Sequence, residues 1–507
     1  MRISSQREEI AQMRSLSKSK ILAHRQCPKR LWLELQPDVK PDYSAQTVAS
    51  FATGRSVGAV AQALYDPRPE RVVLDAQADG YDVAAARTAE MLRGKSPFFE
   101  ALFSAGGALA FADVMQPHGR AAWKMIEVKS STSVKDYHRD DAAIQYFVAT
   151  QSGVKLKASA LAHIDSSWVY PGGGDYNGML VETDVTAEVA KRTDEVAGWI
   201  AEAQATARKR TEPNIRTGAH CNDPFPCGFI DHCSAQEPQA ARPVSWLPTV
   251  QTKALKTHLS NPEIIELEQV PDELLTVLQK RVKAASLSGK TYFDAKGAAA
   301  ALQPHKLPAY FLDFETINPA VPLWAGTRPF QQVPFQFSCH RLSRTGTLQH
   351  REFLHVESSD PSADFVAALL VACDAETSSA PIFVYNQGFE SARIKELAKR
   401  FAKQSKPLLS LVDRLVDLLP IAKTHYYHPS QKGSWSIKAV LPALVPDLAY
   451  DQLDEVKDGG GAQLAFLEII ASDTTAERRE QRIKQLLAYC KLDTLAMVRV
   501  REALLRG

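Results

Sequence analysis

Short apolar runs alternate with amphipathic stretches along this chain, a pattern that is typical of mixed α/β domains. In the first half, apolar runs at 109–114 and 121–128 flank a turn that contains Pro117 and Gly119, and this arrangement predicts a β-hairpin. A helix is predicted next, over 140–151. No apolar run reaches the ~18 residues that a membrane span needs, so we expect no transmembrane helix.

The second half shows the same alternation of apolar runs and amphipathic stretches. Strands are predicted over 310–315, 333–341 and 381–385, and helices over 390–401 and 485–505. We therefore predict three segments, which are an N-terminal α/β domain over 1–240, a helical connector over 241–304 and a C-terminal α/β domain over 305–507.

The chain has 507 residues, enough for about two to four domains with cores of their own. It carries 60 Lys and Arg against 58 Asp and Glu, so its net charge of +2 does not by itself predict a nucleic-acid ligand, and any basic groove must be local. Residues 1–20 lack the apolar core of a signal peptide, so we expect a cytoplasmic protein. Seven cysteines in a chain of this length do not suggest a disulfide framework.

Two carboxylates and a lysine lie on the predicted hairpin. Side chains of a strand alternate between its faces, so Glu127 and Lys129 share one face while Val128 points into the core. Asp113, on the partner strand, is expected to join Glu127 in binding Mg²⁺ or Mn²⁺, which lowers the pKa of a bound water. Lys129 would orient that water or offset negative charge in the transition state. The alternative is an exposed hairpin with solvated charges.

The surroundings of this hairpin carry a resemblance to a nuclease family. The runs 126–132 and 140–146 resemble the RecB-like branch of the PD-(D/E)XK nuclease superfamily. This resemblance implies a restriction-endonuclease-like domain in which Gln145 contributes to the active site and Glu100 matches an upstream acidic position. Many members of the branch carry a metal-binding His after an early Gly, whereas 54–60 contains no His, so the metal site is expected to have one ligand fewer.

Three of the seven cysteines are closely spaced in a C-x5-C-x5-C pattern, at Cys221, Cys227 and Cys233. Clustered thiolates indicate a zinc ion or an iron-sulfur cluster, and Cys27 is a candidate fourth ligand from far upstream. This split arrangement resembles the iron-sulfur RecB-like nucleases, which include the AddB-type helicase-nucleases and the CRISPR-associated adaptation exonucleases. The resemblance implies a [4Fe-4S] cluster that ties the two ends of the N-terminal domain together. Zinc with His220 or His232, and unligated buried cysteines, are the alternatives.

A second pair of carboxylates, Asp313 and Glu315, follows an apolar run in the C-terminal half. On a strand the two side chains share a face, where they can hold two divalent cations about 4 Å apart for phosphoryl displacement. Near the C-terminus, Tyr489 and Asp493 lie four residues apart, which on a helix places them on one face, one turn apart. The alternative is a pair of surface acids and a tyrosine of the core.

This order of motifs resembles the DEDDy subgroup of DnaQ-like 3′–5′ exonucleases. The resemblance implies an RNase H-like fold in which Tyr489 positions the attacking water. It also implies that four carboxylates bind two Mg²⁺ or Mn²⁺ ions, namely those of Asp313, Glu315, Glu390 and Asp493. Glu390 stands where the subgroup commonly has Asp, and Asp417 is an alternative third acid.

Basic residues are concentrated in short stretches. Six of them follow Glu390 within 14 residues, at Arg393, Lys395, Lys399, Arg400, Lys403 and Lys406. They form either a solvated helix face or a track for a phosphate backbone. Shorter basic stretches lie at 208–210 and 280–283. Residues 433–438 predict a loop that leads into a helix, whose first amides either contact phosphate or are simply capped.

Together these features predict a protein with two nuclease sites that hydrolyses phosphodiester bonds, with 3′–5′ exonuclease activity in the C-terminal domain. DNA is the expected substrate, and RNA stays open because contacts to the 2′-hydroxyl cannot be recognised in the sequence. The alternative, motivated by the absent His and by Glu390, is a nucleic-acid-binding adaptor or clamp in which one or both sites are inactive. Cys339, Cys373 and Cys490 are expected in the core.

Overall fold

The computed structural model describes residues 15–448 and 455–506. Both halves of the described chain combine helices with a mixed β-sheet, as the alternation of apolar runs predicts. Among the described residues, no helix is both long enough and apolar enough to cross a bilayer.

The chain divides into two compact units. Unit 1 runs to Pro238 and adds the segment Pro319–Gln331. Unit 2 comprises Gln239–Asn318 and the chain from Gln332 onward. The segment predicted as a connector, 241–304, therefore lies within unit 2. The chain leaves unit 2 over 319–331, between a strand that ends at 317 and a strand that begins at 333.

A seven-stranded mixed sheet forms the centre of unit 1. Its strands are β1 (Leu16–Ser17), β2 (Val72–Val73), β3 (Phe98–Ala105), β4 (Ala108–Pro117), β5 (Trp123–Lys129), β6 (Leu156–Ile164) and β7 (Leu180–Asp184). They lie in the order β2-β3-β4-β5-β6-β7, and β1 pairs with β4 in parallel. Strands β3, β4 and β5 are antiparallel neighbours, whereas β5 and β6 are parallel. The predicted hairpin corresponds to β4 and β5.

The helices of unit 1 are α1 (Lys18–Gln26), α2 (Pro28–Glu34), α3 (Ala45–Tyr65), α4 (Ala76–Asp79), α5 (Tyr81–Met91), α6 (Asp136–Gln151), α7 (Thr186–Ala190), α8 (Thr193–Ala207) and α9 (Ile230–Ser234). Helix α6 connects β5 to β6, because two parallel strands cannot be joined by a tight turn. It ends at the predicted residue but begins four residues earlier than predicted, at Asp136.

Small side chains let α6 approach the sheet of unit 1 closely. Ala110 and Ala112 of β4 and Ala142 and Ala143 of α6 are buried in one apolar cluster. The approach brings Gln145 of α6 within hydrogen-bond distance of the sheet, because its amide Nε2 donates to the carbonyl oxygen of Phe111 over 2.7 Å. A polar side chain of α6 thereby reaches the strands that carry the predicted acids.

The regular alternation of faces breaks in the middle of β3. Glu100 has a φ of 58°, which residues with a side chain rarely adopt. Phe98 and Ala101, three residues apart, consequently belong to the same apolar cluster. The pairing of β3 with β4 places Glu100 across from Asp113. Irregularities of this kind redirect side chains and are frequent beside active sites.

Unit 2 is built on a five-stranded sheet and a two-stranded pair. The strands are β8 (Tyr292–Phe293), β9 (Ala309–Ile317), β10 (Val333–Leu342), β11 (Leu348–Leu354), β12 (Ile382–Val384), β13 (Leu415–Asp417) and β14 (Tyr426–Tyr427). The larger sheet has the order β11-β10-β9-β12-β13. Strands β9, β10 and β11 are antiparallel, and β12 is parallel to both β9 and β13.

The helices of unit 2 are α10 (Lys253–Leu259), α11 (Val277–Ser288), α12 (Ala295–Leu302), α13 (Ser362–Ala372), α14 (Gly388–Arg400), α15 (Ser405–Asp413), α16 (Leu418–His425), α17 (Ile437–Leu444), α18 (Gly459–Ile470) and α19 (Ala476–Arg506). The predicted C-terminal helix corresponds to α19, which begins nine residues earlier than predicted. The predicted helix over 390–401 corresponds to α14.

Strand β9 is the central strand of the larger sheet, with β10 on one side and β12 on the other. A strand that is covered on both faces is expected to be apolar almost throughout, and Tyr310, Phe311 and Leu312 are indeed buried. The acids Asp313 and Glu315 interrupt this run from the middle of the strand onward. Burial of an ionised carboxylate in such a position destabilises the fold unless a cation or a hydrogen-bond donor compensates its charge.

Candidate active site

Four carboxylates of unit 2 line one cavity of about 250 Å³. They come from three separate elements, with Asp313 and Glu315 on β9, Glu390 in the first turn of α14 and Asp493 on α19. Tyr489 lines the same cavity, one helical turn before Asp493. The structure therefore brings together all five residues that the sequence predicted for this half.

Burial and mutual repulsion govern the charge of these acids. Burial raises the pKa of Asp313 well above its usual range, and the charges of Asp493 and Glu315 raise it further. Burial, reinforced by Asp493, raises the pKa of Glu315 to about 8. Burial likewise raises the pKa of Glu390 to about 8. Neighbouring carboxylates repel one another when they are ionised, and a bound divalent cation would stabilise their ionised forms.

Glu390 has an oxygen with no partner among the described residues. Its Oε2 is buried and accepts no hydrogen bond, although an ionised carboxylate offers several acceptor sites. An orphaned acceptor on the wall of an acidic cavity fits the role of a metal ligand. The extra methylene of Glu, compared with the usual Asp, does not keep this carboxylate out of the cavity.

Asp417, the alternative third acid, has a different role. Its carboxylate accepts backbone hydrogen bonds from Asn386 and Gln387 over 3.0 Å each and from Leu419 over 2.9 Å. These bonds hold the turn before α14, in which Asn386 has a φ of 80°. Asp417 does not line the cavity and instead supports the turn that delivers Glu390.

Lys438, the last residue of the predicted loop-to-helix stretch 433–438, also lines the cavity, although only the backbone amides of that stretch were considered in the sequence. It lies in the first turn of α17, and its Nζ is 3.2 Å from the hydroxyl oxygen of Tyr489 and 4.9 Å from the centre of that ring. Its charge also opposes the rise in the pKa of Glu315. The hydroxyl of Tyr385 donates to the carbonyl of Trp435 over 2.6 Å and so ties the turn before α14 to the turn before α17.

Cys490 lies beside the acid pair, although the sequence predicted only a core residue. Its side chain is fully buried, as predicted, and its thiol is 3.9 Å from the carbonyl oxygen of Asp313. Within the described ranges, Asp313, Glu315 and Cys490 are the one group of three potential ligands whose ligand atoms all lie within 4.8 Å of one another. Burial raises the pKa of this thiol well above its usual range, and a protonated thiol is a poor ligand for a hard cation.

A buried hydroxyl network holds α19 against β10. Thr494, next to Asp493, lies 2.7 Å from the hydroxyl of Ser338 and 2.8 Å from Nδ1 of His340. The amide of Gln336 donates to the carbonyl of Leu486 over 2.8 Å. These bonds fix the helix that carries Tyr489 and Asp493 relative to the sheet that carries the acid pair.

The acids of unit 1 are arranged differently, because lysines neutralise them. Glu127 is only 4% exposed, and its Oε1 accepts hydrogen bonds from Lys129 over 2.7 Å and from Lys18 over 2.8 Å. Its Oε2 accepts from the amide of Gln145 over 2.5 Å. Asp113 accepts from the backbone amide of Val128 over 2.7 Å. The predicted residues Asp113, Glu127, Lys129 and Gln145 therefore meet where α6 lies against β4 and β5.

Val128 follows the alternation that the sequence predicts. Its neighbours Glu127 and Lys129 face α6, whereas Val128 is half-buried against the apolar residues Val57 and Ile164 on the other face. Val57 belongs to the stretch of α3 in which the expected His is absent, and it is fully buried among apolar side chains. The face of α3 that packs against the sheet therefore carries Val57, and the stretch 54–60 supplies no ligand of the usual kind.

Burial and the neighbouring charges shift the pKa values of the acids in this site in opposite directions. Burial alone would raise the pKa of Glu127, but the charges of Lys129 and Lys18 outweigh it and hold the pKa well below its usual range. Burial raises the pKa of Asp113 well above its usual range, and the negative charge of Glu127 adds to the effect. Burial, together with the negative charge of Glu127, also raises the pKa of Glu100 to about 6.

Lys18 and Asp141 are residues of this site that sequence reasoning missed. Lys18 Nζ lies 2.8 Å from Oδ1 of Asp141, and Lys129 contacts the other carboxylate oxygen of Asp141. Asp141 stands four residues before Gln145 on the same helix, so its spacing could have pointed to it. Lys18 is more than a hundred residues away in sequence from its partners, and nothing local indicates the contact.

The four predicted cysteine ligands of unit 1 line one cavity, at Cys27, Cys221, Cys227 and Cys233. Burial raises the pKa of the Cys227 thiol, and it raises that of Cys233 to about 11. No three of the four sulfur atoms lie within 4.8 Å of one another. His220 lies 3.7 Å from Cys221, whereas His232 pairs with Glu212 at 3.4 Å.

The cysteine loop is held to the N-terminal helices by several polar interactions. The amide Nε2 of Gln26 donates to the carbonyls of His220 and Phe225 over 2.7 and 2.8 Å. Lys29 pairs with Glu212 at 2.8 Å. Gly228 leaves no room for a side chain, because a Cβ there would lie 2.7 Å from the Cβ of Pro41. Its neighbours in the loop are thereby packed directly against the chain that follows α2.

The basic stretch after Glu390 separates into paired and exposed residues. Arg393 pairs with Glu396 at 2.8 Å, and Arg400 pairs with Asp360. The remaining four have exposed side chains, with Lys395 and Lys399 on α14, Lys403 in the short 3-10 turn after it and Lys406 at the start of α15. The first turn of α14 lines the acid cavity, so the first two of these lysines continue along the same element.

Three comparisons with known proteins bear on this chain. A family described as a domain of unknown function (DUF2779) matches residues 310–436. No curated protein matches. Nine chains of solved structures match, and one of them, titled "Crystal structure of SSO0001", is 14% identical, with 46% of this chain and 93% of that chain covered and a TM-score of 0.20. The DUF2779 match includes Asp313, Glu315 and Glu390 and ends before Tyr489 and Asp493.

Proposed function

We propose that this protein is a metal-dependent nuclease whose unit 2 removes nucleotides from the 3′ end of a nucleic acid strand. The observation that carries the proposal is the convergence of four carboxylates and Tyr489 on one cavity from three separate elements. A buried cluster of acids with raised pKa values is difficult to explain as packing, because each charge is costly without a cation.

The residues of the cavity have distinct roles in this chemistry. Mg²⁺ or Mn²⁺ ions held by Asp313, Glu315, Glu390 and Asp493 would stabilise the negative charge of a phosphoryl group in displacement. Tyr489 would position the attacking water, either as its general base or by orienting it. Lys438, hydrogen-bonded to Tyr489, fixes the direction of that hydroxyl and adds positive charge near the phosphate.

The topology of unit 2 supports this proposal. Its sheet has three antiparallel strands first and two parallel strands after them, with the first strand in the centre. That is the arrangement expected of an RNase H-like domain of the DnaQ type, which the sequence motifs imply. The acid pair lies on the first strand and the Tyr and Asp pair on the last helix, in the chain order of the DEDDy motifs.

We assign a second hydrolytic site to unit 1, of the RecB-like PD-(D/E)XK type. The specific observation in its favour is that Asp113, Glu127, Lys129 and Gln145 come together where helix α6 packs on β4 and β5. The amide oxygen of Gln145 is buried and has no hydrogen-bond partner among the described residues, which fits a site that holds an additional polar group. Glu127 and Asp113 would bind Mg²⁺ or Mn²⁺ there.

The four cysteines fit a [4Fe-4S] cluster better than a single zinc ion. Thiolates around a tetrahedral zinc ion lie about 3.8 Å apart, given zinc-sulfur distances near 2.3 Å. No three of these sulfur atoms approach within 4.8 Å, so they are spaced more widely than a tetrahedral zinc ion requires. A cluster held by Cys27 and by the three cysteines of the loop would fasten the start of unit 1 to its end. Four irons per chain after anaerobic purification are expected, and one stoichiometric zinc would refute this assignment.

The substrate class follows from the sites. Two acidic sites that suit divalent cations favour a phosphodiester substrate, and we propose DNA, with RNA as the second substrate to be assayed. The exposed lysines along α14 and α15 supply local positive charge that the overall charge of +2 conceals. A protein with these activities acts on nucleic acid in the cytoplasm.

The two activities can be separated by measuring degradation of 5′- and 3′-labelled DNA and RNA with Mg²⁺ or Mn²⁺. Asp493→Asn is expected to abolish shortening from the 3′ end by unit 2. Lys129→Ala is expected to abolish only the hydrolysis that remains when unit 2 is inactive, which we assign to unit 1. Glu480→Gln, an exposed acid of the same helix as Asp493, is the matched control and should retain full activity. Strand binding without hydrolysis by the parental protein would instead favour the adaptor or clamp.

A further inference from the structure

Two lysines, not one, bridge the carboxylates of unit 1. Lys18 and Lys129 both donate to Oε1 of Glu127, and each contacts one oxygen of Asp141. The two ammonium groups are similarly enclosed, with 19% and 16% of the side chains exposed. Lys129 belongs to the E-x-K pattern of the strand, whereas Lys18 reaches the same atoms from a different part of the chain.

Lys18 is placed by the secondary structure that surrounds it. It is the first residue of α1, and Ser17 caps that helix through its hydroxyl. The two residues before it form β1, which pairs with β4 in the register Leu16 to Ala108. The start of the helix is therefore fixed to the strand that also carries Asp113.

The other end of the same helix reaches the cysteine site. Cys27 follows the last residue of α1, and Gln26 holds the cysteine loop through two backbone carbonyls. Along the helix, Arg25 pairs with Asp140 of α6 at 2.9 Å, and His24 lies 3.1 Å from the hydroxyl of Thr206 on α8. A nine-residue helix spans about 13 Å, so α1 connects the cysteine site to the acid site as one rigid element.

We propose that Lys18 is a second lysine of the unit 1 hydrolytic site, a positioning residue that holds Glu127 and Asp141 in place and is itself held by the cysteine site through α1. The proposal rests on the hydrolytic function assigned to unit 1. Because Lys18 shares both carboxylates with Lys129, Lys129 can turn towards the water or phosphate without leaving them unpaired. Without Lys18, Lys129 is the sole basic partner of both carboxylates, and its movement towards the substrate would leave two buried charges unpaired.

Lys18 also occupies an oxygen that a divalent cation would use. Its ammonium group sits on Oε1 of Glu127 and therefore competes with a cation for that atom. Removal of Lys18 should consequently tighten the binding of Mn²⁺ while it slows hydrolysis. A loss of folding would weaken both, so the opposite signs distinguish a positioning role from a structural one.

The experiment uses the full chain with Asp313→Ala, which silences unit 2. Lys18→Met is expected to lower kcat about 10-fold or more, as other changes to groups that orient metal ligands do, with KM for a labelled strand unchanged. Calorimetry should show tighter Mn²⁺ binding, and Lys18→Arg should restore most of kcat. Lys20→Met is the matched control, because Lys20 lies on the same helix but pairs with Glu34. It should behave as the parental chain.

A further variant tests the connection through α1. Cys27→Ser is expected to lower kcat as Lys18→Met does, and the double variant should be no slower than either single variant. Unchanged kcat and unchanged Mn²⁺ affinity in Lys18→Met, with hydrolysis still dependent on Glu127, would overturn the inference and leave the function of unit 1 intact. Hydrolysis that Glu127→Ala does not reduce would overturn the function of unit 1 and the inference together.

Discussion

The buried acids of the two units are compensated in different ways. In unit 1, Lys18 and Lys129 neutralise Glu127, whose pKa is held low. In unit 2, Asp313, Glu315 and Glu390 have raised pKa values, and Lys438 only partly offsets the repulsion. The acid cavity of unit 2 therefore depends more strongly on an added cation than the acid site of unit 1 does.

The pH dependence of stability should reveal the acids of unit 2. The pKa values of Glu315 and Glu390 rise from 4.5 to about 8 on folding, so the folded state binds these protons more tightly than the unfolded state does. Their contribution to the free energy of unfolding is thus fully present below about pH 4.5 and is lost as the pH rises towards 8. Thermal unfolding of the protein in the presence of a chelator should show this loss as a fall in melting temperature, and added Mn²⁺ should reverse it.

The matched variant for this measurement is Glu315→Gln with Glu390→Gln. Both amides keep the size of the side chain and carry no charge, so the difference in melting temperature from the parental chain isolates the two acids. The variant is expected to melt higher than the parental chain at pH 8 without metal and to gain less from Mn²⁺ than the parental chain does. Equal melting temperatures of both chains across this pH range would show that the two acids are not coupled to folding.

Lys438 should matter for the rate of unit 2 rather than for its stability. Lys438→Met removes the hydrogen bond to Tyr489 and the charge near the phosphate, so we expect kcat for 3′ shortening to fall about 10-fold. Lys438→Arg should recover part of it. Lys484→Met, at an exposed position of α19 that pairs with Glu480, is the control and should leave kcat unchanged. An equal decrease in both Met variants would contradict a specific role.

Two glycines of unit 1 should respond to alanine in opposite directions. At Gly228 a Cβ would lie 2.7 Å from Pro41 and 2.9 Å from the ring of Tyr43, so Gly228→Ala is expected to destabilise unit 1 by roughly 1–3 kcal/mol. At Gly198, inside α8, a Cβ would meet nothing within 4 Å, and alanine should stabilise the helix by about 0.5–1 kcal/mol. Denaturant unfolding measures both. A neutral Gly228→Ala would show that the cysteine loop adapts easily.

At the level of elements, the sequence predicted most strands and helices that carry the sites. The apolar run of β9 with its two acids is recognisable because a central strand is apolar almost throughout. The start of α19 was missed, since its first turns are strongly polar and lack the apolar spacing used to place it. The segment Pro319–Gln331 belongs to unit 1 although its neighbours in sequence belong to unit 2, and no local pattern signals such an excursion.

Contacts made by side chains from distant elements also could not be predicted from the sequence. Lys18 contacts Glu127 across 109 residues of sequence, and Lys438 contacts Tyr489 across 51. Such pairs depend on how helices α1 and α17 pack, which periodicity alone does not determine. Cys490, by contrast, was correctly expected to be buried, but its place beside Asp313 required the register of α19 on β9.

Helices α14 and α15 and the short turn between them present four exposed lysines that should bind the phosphate backbone. Replacing Lys395, Lys399, Lys403 and Lys406 by Gln is expected to weaken strand binding and to reduce the slope of log K against log salt by up to about 3, at roughly 0.7 for each phosphate that a lysine no longer neutralises. Fluorescence anisotropy of a labelled single strand measures this slope.

The control for this prediction removes four other exposed lysines of unit 2. Replacing Lys253, Lys256, Lys280 and Lys290 by Gln changes the net charge by the same amount and should leave the slope nearly unchanged. Equal slopes for the two variants would mean that the lysines of α14 and α15 form an ordinary solvated face.

At the level of the whole molecule, the near-zero net charge is a cancellation. The total of 60 basic and 58 acidic residues hides two acidic sites and separate basic stretches, so the overall charge says little about the ligand. The two compact units each carry their own candidate site, which allows the activities to be assigned by variants in one unit at a time.

The most direct test of the account is the release of nucleotides from a 3′-labelled strand in Mn²⁺ by the parental chain and by Asp313→Asn. This substitution removes one negative charge from the cavity of unit 2 and keeps the shape of the side chain. We predict stepwise removal of the label from the 3′ end by the parental chain and none by the variant. Release of the label at the same rate by Asp313→Asn would contradict the central claim that the acids of unit 2 catalyse 3′–5′ hydrolysis.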